Sequence, residues 1–127
     1  MTGSLGQVEP LVLDGVEITV QSDVVCMKGV LSMRSPSETV TPFLRRIHMA
    51  ATDAGIKNLT VDLRQLRFMN SSSIRSLVDW VEWIRKEPDA KRYRLTFITK
   101  PDVTWQQTTL AAIRAFGGDH VAVQNSL

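Results

Sequence analysis

The most constraining stretch of this sequence covers residues 60–84 and reads TVDLRQLRFMNSSSIRSLVDWVEWI. A strand-like apolar segment at residues 59–63 leads into a polar turn that contains three consecutive serines. Apolar residues then return with the spacing of one helix face, at Ile74, Leu77, Val78, Val81 and Ile84. A strand followed by a serine-rich helix start places hydroxyls and unpaired backbone N–H groups at one edge of a domain.

The size of the chain predicts one domain. It has 127 residues, of which 43% are hydrophobic and 22% are charged. We place the domain at residues 11–124, after a flexible segment at residues 1–10. The one cysteine, Cys26, excludes an intramolecular disulfide and favours a reducing, cytoplasmic location. No run of 18 apolar residues is present, so no membrane span is expected.

The charge distribution argues against nucleic-acid binding. The net charge is +2, and the basic residues form small groups, such as Arg45 with Arg46 and Lys91 with Arg92 and Arg94. Nucleic-acid proteins usually carry a denser basic stripe or a known module. We therefore interpret these groups as solvated surface charge.

The first half of the sequence predicts a hairpin and a helix. Residues 16–20 alternate apolar and polar side chains, and residues 24–31 follow after a short polar break, which is typical of two antiparallel strands. Ser35, Pro36 and Glu38 form a capping-box pattern that predicts a helix start. An apolar face follows, and Gly55 suits the C-terminal cap; that face holds Val40, Phe43, Leu44, Ile47, Ala51 and Ala54.

The second half alternates strands and helices. The strand at residues 59–63 and the helix after the serines precede a fourth strand at residues 93–98. A second capping box at residues 104–107 predicts a third helix, which ends near Phe116. We expect that helix to bury Trp105, Ala112, Ile113 and Phe116, and residues 120–123 to add a short last strand.

The predicted order is therefore β-β-α-β-α-β-α-β. Alternating strands and helices after an initial hairpin indicate an α/β domain, with a mixed sheet of about four to five strands covered by about three helices.

Catalytic motifs are missing from the sequence. It has no GxxxxGK[ST], GxGxxG, GxSxG or HExxH pattern. Its two histidines, His48 and His120, have no partners at metal-ligand spacing, and we interpret both as surface or boundary residues. We predict a non-enzymatic protein without metal or cofactor. A small hydrolase with Ser71 as nucleophile is the minor alternative.

The helix start suits a negative charge. Asn70 is a good N-cap residue, which leaves Ser71, Ser72 and Ser73 in the first turn. The N-terminus of a helix carries partial positive charge, so a phosphoryl group on one serine would be tolerated there. Plain helix capping is the alternative and needs only one of these residues.

Two tryptophans on the same helix suggest a docking surface. Trp83 falls roughly opposite the apolar arc, and Trp80 flanks the arc on the side of Ser73 and Ser76. Tryptophan is enriched at the centres of protein interfaces. We therefore predict a partner-binding set of Asn70, Ser71, Ser72, Ser73, Ser76, Trp80 and Trp83; burial of both indoles under other segments is the alternative.

These residues resemble the STAS domain family, the anti-sigma-factor antagonists and their relatives. The family pattern is a strand that ends in an Asp-Leu-Ser-like turn, followed by Phe-Met-Asp-Ser-Ser-Gly-Leu at the start of a helix. Residues 61–74 here read VDLRQLRFMNSSSI. The hairpin VEITVQSDVVCMKGVLS and the segment KPDVTWQQTTLAAIRAFGGDHVAV are similar to the first strands and last elements of the family.

The resemblance implies a phosphorylation switch in bacterial signalling. The family phosphoacceptor matches Ser71, with Ser72 as our second candidate. The unphosphorylated protein would bind a serine-kinase or anti-sigma-like partner, and a phosphatase would reset the cycle. Asn70 stands where the family has aspartate, and Ser73 where it has glycine. A STAS-like scaffold or ligand sensor that is never phosphorylated therefore stays open as a second function.

Overall fold

A six-stranded sheet and three helices form the fold. The computed structural model describes residues 8–32 and 38–125. None of the helices within these ranges is long and apolar enough to cross a membrane. The elements in chain order are β1 (Leu11–Leu13), β2 (Val16–Gln21), β3 (Val24–Leu31), α1 (Val40–Ala54), β4 (Asn58–Met69), α2 (Ser71–Lys86), β5 (Arg94–Thr99), α3 (Thr104–Gly117) and β6 (Val121–Asn125).

The sheet is mixed and its strands follow sequence order, β1 to β6. The first three strands pair antiparallel, and β3 to β6 pair parallel. Right-handed crossovers that advance in one direction place all three connecting helices on the same face of the sheet. Burial agrees: Leu59, Val61 and Leu63 are fully buried, whereas Thr60 and Asp62 between them are partly exposed. The predicted α/β class and mixed sheet are confirmed.

The strand count is higher than predicted because residues 11–13 form a strand. Leu11 pairs with Ile18 and Leu13 with Val16, so the Asp14-Gly15 turn connects two strands. The flexible segment predicted at residues 1–10 lies mostly outside the described residues. Val8, within them, packs partly buried against the core.

Helix α1 begins at Val40, with Thr39 as its N-cap residue. The predicted capping residues Ser35 and Pro36 lie outside the described residues, so that prediction is not tested. Gly55 ends the helix as predicted: its φ of 69° is left-handed, and its backbone N–H points at the carbonyls of Ala51 and Thr52.

Strand β4 extends to Met69, six residues beyond the predicted end at Leu63. The hydrophobicity pattern did not predict this extension, because it contains the polar residues Arg64, Gln65 and Arg67. Strand β3 supplies the reason, because it pairs with β4 up to Leu31 opposite Met69, across two register irregularities. The long strand carries the chain directly to the start of α2.

Helix α3 ends at Gly117, close to the predicted end near Phe116, but its start and its buried face differ from the prediction. Its N-cap residue is Val103, which makes no side-chain capping bond, so the predicted capping box is wrong. Ile113 is buried as expected, but Ala112 is exposed and Phe116 keeps 43% of its surface exposed. The core side of this helix instead takes Gln106 and Leu110.

Candidate functional site

Asn70 fixes the start of α2. Its backbone N–H donates to the carbonyl of Leu31 at 2.9 Å, which continues the β3–β4 ladder by one residue. Its side-chain oxygen accepts a hydrogen bond from the backbone N–H of Ser73 at 3.0 Å. The predicted N-cap is therefore confirmed, and a neutral amide makes the capping bond.

The serines after Asn70 divide into two exposed and two buried residues. Ser71 and Ser72 are exposed, whereas Ser73 and Ser76 keep 0% and 2% of their surface. The Ser76 hydroxyl lies 2.9 Å from that of Thr41 in α1. Both side chains are therefore buried inside the domain, Ser76 against α1, and our prediction that they contact a partner is corrected. Ser71 and Ser72 remain available at the surface.

Trp80 is buried and does not form a surface. Its side chain is 0% exposed, and its indole N–H donates to the Tyr93 hydroxyl at 2.8 Å. A side chain without exposed surface cannot contact a partner docked on the folded domain, so the prediction for Trp80 is also corrected. The physical reason is that Tyr93 gives the indole N–H a buried acceptor, which removes the cost of burying it.

His48 is a core residue rather than the predicted surface or boundary residue. Its Nδ1 lies 2.7 Å from the Tyr93 hydroxyl, and its Nε2 lies 2.8 Å from Glu87 Oε2. One assignment satisfies every group: Trp80 donates to Tyr93, Tyr93 donates to Nδ1, and Nε2–H donates to the carboxylate. Burial raises the pKa of Tyr93 far above its usual range, and the negative charge of Glu87 adds to the rise.

This network removes His48 from any serine-based chemistry. Both of its ring nitrogens are occupied by Tyr93 and Glu87. The other histidine, His120, immediately precedes β6 and lies at the amino-terminal edge of the parallel strands. Ser71 follows β4 at the opposite, carboxyl-terminal edge. Neither histidine is placed to activate the Ser71 hydroxyl.

Trp83 is half-buried at the boundary between α1 and α2. The Arg45 guanidinium lies 4.9 Å from its ring centroid, and the His48 ring lies 6.0 Å away. An exposed edge of this indole remains at the surface. Contact of Trp83 with a partner stays a prediction.

The buried arc of α2 is turned toward α1 relative to the predicted arc. Its buried residues are Ser73, Ser76, Leu77, Trp80, Val81 and Ile84. Ile74 and Val78 are only partly buried as a result. They line an apolar groove of about 470 Å³ between α2 and α3, with Ile113 and Phe116 on the opposite wall.

A second, more polar depression adjoins this groove. It is lined by Ser71, Ser72 and Arg75 and shares Ile74 and Val78 with the groove. The two exposed serine hydroxyls therefore lie beside a continuous apolar surface. We call the two depressions together the α2 surface.

Gln106 and Trp105, which the sequence did not indicate as site residues, connect α3 to the end of β4 beside the site. Gln106 is fully buried; its amide nitrogen donates to the carbonyls of Leu63 at 2.7 Å and Leu66 at 2.9 Å. The Trp105 indole donates to the carbonyl of Arg67 at 2.8 Å. These bonds tie the start of α3 to the end of β4. No local pattern identifies them, because the partner carbonyls lie about 40 residues away in sequence.

Asp62 and Arg64 form an ion pair beside β3, on the face of the sheet that the helices do not cover. Arg64 donates to Asp62 through Nη2 at 2.7 Å and through Nε at 3.0 Å. The side-chain hydrogen bonds from Arg64 hold the pKa of Asp62 below its usual range. Burial raises the pKa of the neighbouring Cys26 thiol. Across residues 8–32 and 38–125, no three His, Cys, Asp or Glu side chains are grouped to hold a metal ion.

Comparison with solved structures shows that the chain has a STAS-domain-like fold. It is similar to SiaC of Pseudomonas aeruginosa, with a TM-score of 0.62 and 17% identity over 94% of this chain and 100% of that one. A chain in the crystal structure of the diguanylate cyclase SiaD with its activator SiaC, from the same organism, gives a TM-score of 0.61 and 17% identity, covering 87% of this chain and 92% of that one.

An anti-sigma factor antagonist from Mycobacterium paratuberculosis is also similar, with a TM-score of 0.56 and 14% identity over 88% of this chain and 86% of that one. No protein-family model and no curated protein matches the sequence. At these identities, the likeness shows the fold alone.

Proposed function

We propose that this chain is a non-enzymatic signalling domain that binds a regulatory protein through the α2 surface. The observation that carries this proposal is the position of two exposed serine hydroxyls, Ser71 and Ser72, directly beside the apolar groove at Ile74 and Val78. Apolar grooves rimmed by polar groups are typical of protein interaction sites. Asn70 fixes the start of the helix that carries this surface, because its side chain caps that helix.

We propose further that phosphorylation of Ser71 switches this binding, with Ser72 as the second candidate. Ser71 is the first residue of α2, where the helix dipole favours a negative charge. Arg75 lies four residues later, so its guanidinium is within reach of a phosphoryl group on Ser71. A doubly charged group at the mouth of the groove would oppose an apolar or acidic partner.

The solved structures with this fold support a partner-binding role. One contains SiaC, described as the activator of the diguanylate cyclase SiaD, and another is described as an anti-sigma factor antagonist. We propose a bacterial, cytoplasmic setting and a partner that is a serine-kinase or anti-sigma-like protein, with a phosphatase as the resetting enzyme. A scaffold that is never phosphorylated is the alternative, favoured by the neutral Asn70 at the cap.

Phosphate mapping separates the switch from the scaffold. Trypsin releases residues 68–75 as one peptide, FMNSSSIR, so its fragment ions assign a phosphoryl group to Ser71, Ser72 or Ser73. We expect modification at Ser71 after incubation with a cognate kinase and ATP, and its loss in Ser71→Ala but not in Ser72→Ala. Modification confined to buried Ser73, or none with kinases that phosphorylate related domains, would contradict the switch and leave the scaffold.

A further inference from the structure

We propose that the amino-terminal edge of the parallel strands binds the phosphate group of a small anionic ligand. This edge is opposite to the α2 surface, because β4, β5 and β6 run parallel and Ser71 follows the carboxyl end of β4. The site is a depression of about 330 Å³, formed where the connections from α1, α2 and α3 enter the strands. Lys57, Arg92, Arg94 and His120 line it.

The cations of this depression are held in place by backbone carbonyls. Lys57 Nζ donates to the carbonyl of Ala90 at 2.7 Å, and Arg94 Nε donates to the carbonyl of Asp119 at 3.1 Å. Each of these bonds uses one donor and leaves others unused, since an ammonium has three and a guanidinium five. The side chains are therefore oriented while their remaining N–H groups stay available.

The positive charge of the site is largely uncompensated. Within the described part of the chain, neither Lys57 nor Arg94 forms an ion pair. Arg92 differs, because its Nη1 lies 2.9 Å from Asp89 and its other nitrogens donate to the carbonyls of Glu87 and Arg85. Asp119 is the one carboxylate that lines the depression. Two unpaired cations against one carboxylate favour an anion at this position.

The donors favour phosphate as the anion. An arginine guanidinium and a lysine ammonium that line the same depression match the oxygens of a phosphate or diphosphate group. The basic residues that line the depression form a short cluster, which favours a small ligand over a nucleic-acid strand, since a strand would need a longer basic track. A free phosphorylated metabolite and a lipid headgroup offer the same group, and the test distinguishes them.

Amide NMR spectra measure this binding directly. Inorganic pyrophosphate is titrated into the full chain at constant ionic strength, with sodium chloride as the matched salt. We expect saturable shifts at Lys57, Asn58, Arg94 and His120. The double variant Lys57→Ala/Arg94→Ala should bind at least about tenfold more weakly, and Asp119→Asn more tightly. Arg46→Ala, which removes an exposed charge on α1 outside this depression, should bind as the wild type does.

The outcomes are distinct. Shifts that do not saturate, that chloride reproduces, or that survive in the double variant overturn the proposal. Vesicles containing phosphatidylglycerol form the second arm: sedimentation that depends on Lys57 and Arg94 and that pyrophosphate reverses identifies a headgroup as the source of the phosphate. Saturable pyrophosphate binding without sedimentation identifies a free ligand. All three variants replace exposed side chains, so circular dichroism should show an unchanged fold.

Discussion

The side-chain oxygen of Asn70 accepts the backbone N–H of Ser73 at 3.0 Å, and this one bond organises the candidate site. It satisfies a helix N–H with a neutral group, so the first turn of α2 gains no negative charge from its cap. The same turn directs Ser73 into the protein and leaves Ser71 and Ser72 at the surface. A charge added later by modification would therefore be the first one at this position.

Replacement of Asn70 tests the cap. Asn70→Ala removes the acceptor for the Ser73 N–H and should lower the free energy of unfolding by about 1 kcal/mol. Asn70→Asp keeps an acceptor and adds a charge that the helix N-terminus favours, so its stability should equal or exceed that of the wild type. Urea denaturation measures both variants. Equal losses of stability in the two variants would show that other contacts of the Asn70 amide, rather than the capping bond, stabilise the protein.

Tyr93 predicts a loss of stability in alkali. The pKa of Tyr93 is raised in the folded protein because burial disfavours the phenolate. Above the usual tyrosine pKa of about 10, the unfolded chain has released this proton while the folded chain still holds it, so stability falls as pH rises. Tyr93 is the only tyrosine in the sequence, so tyrosinate absorbance reports it alone. Ionisation of the folded protein near the usual pKa would refute this expectation.

Tyr93→Phe tests the network around His48. The variant keeps the ring but leaves the Trp80 indole N–H and His48 Nδ1 without their shared partner. Each unsatisfied buried group costs about 1–3 kcal/mol, so we expect a marked loss of stability in urea denaturation. The variant should also lose the alkaline dependence described above. An unchanged unfolding midpoint would show that the hydroxyl is dispensable.

Truncation of two aromatic residues should change stability by very different amounts. Trp80→Ala removes a fully buried side chain and should cost about 3–5 kcal/mol of stability. Phe116→Ala removes a side chain that is 43% exposed and should change stability little, by about 0.5 kcal/mol. Thermal unfolding compares the two. A large loss in Phe116→Ala would mean that this ring serves the core rather than the α2 surface.

Arg64 should set the acidity of Asp62. Arg64→Gln removes two side-chain bonds to the carboxylate, so the pKa of Asp62 should rise toward its ordinary value. Because the native pKa is depressed, this ion pair contributes stability above the ordinary aspartate pKa and loses it as pH falls through the native one. Carboxyl NMR titration measures the shift. Arg67→Gln is the control, since its guanidinium does not contact Asp62.

Local patterns in the sequence predict much of the fold but not the contacts between residues that are distant in sequence. The hairpin, Gly55 and the Asn70 cap depend on residues close together in the chain, and the structure has all three. The end of β4 depends on pairing with β3, which lies more than 30 residues earlier. Its polar residues gave no alternating signal, so the strand was predicted too short.

The candidate site shows the same limit. The position of Ser71 and Ser72 at the exposed start of α2 follows from the cap and is predictable. The burial of Trp80 depends on Tyr93, which lies thirteen residues later, just before β5. Phe116 is exposed because α3 packs on the core through the face that holds Gln106 and Leu110. Helical periodicity describes one helix at a time and carries no information about the neighbour that covers it.

The affinity of the domain for its regulatory partner tests the central claim most directly. A candidate partner encoded beside its gene is titrated with the wild type, the Ser71-phosphorylated form, Phe116→Ala and Met49→Ala. Met49 is an exposed apolar residue on α1 and serves as the matched control. We predict that phosphorylation and Phe116→Ala each weaken binding at least about tenfold, while Met49→Ala changes it little. Equal affinity of all four forms would contradict the assignment of the α2 surface.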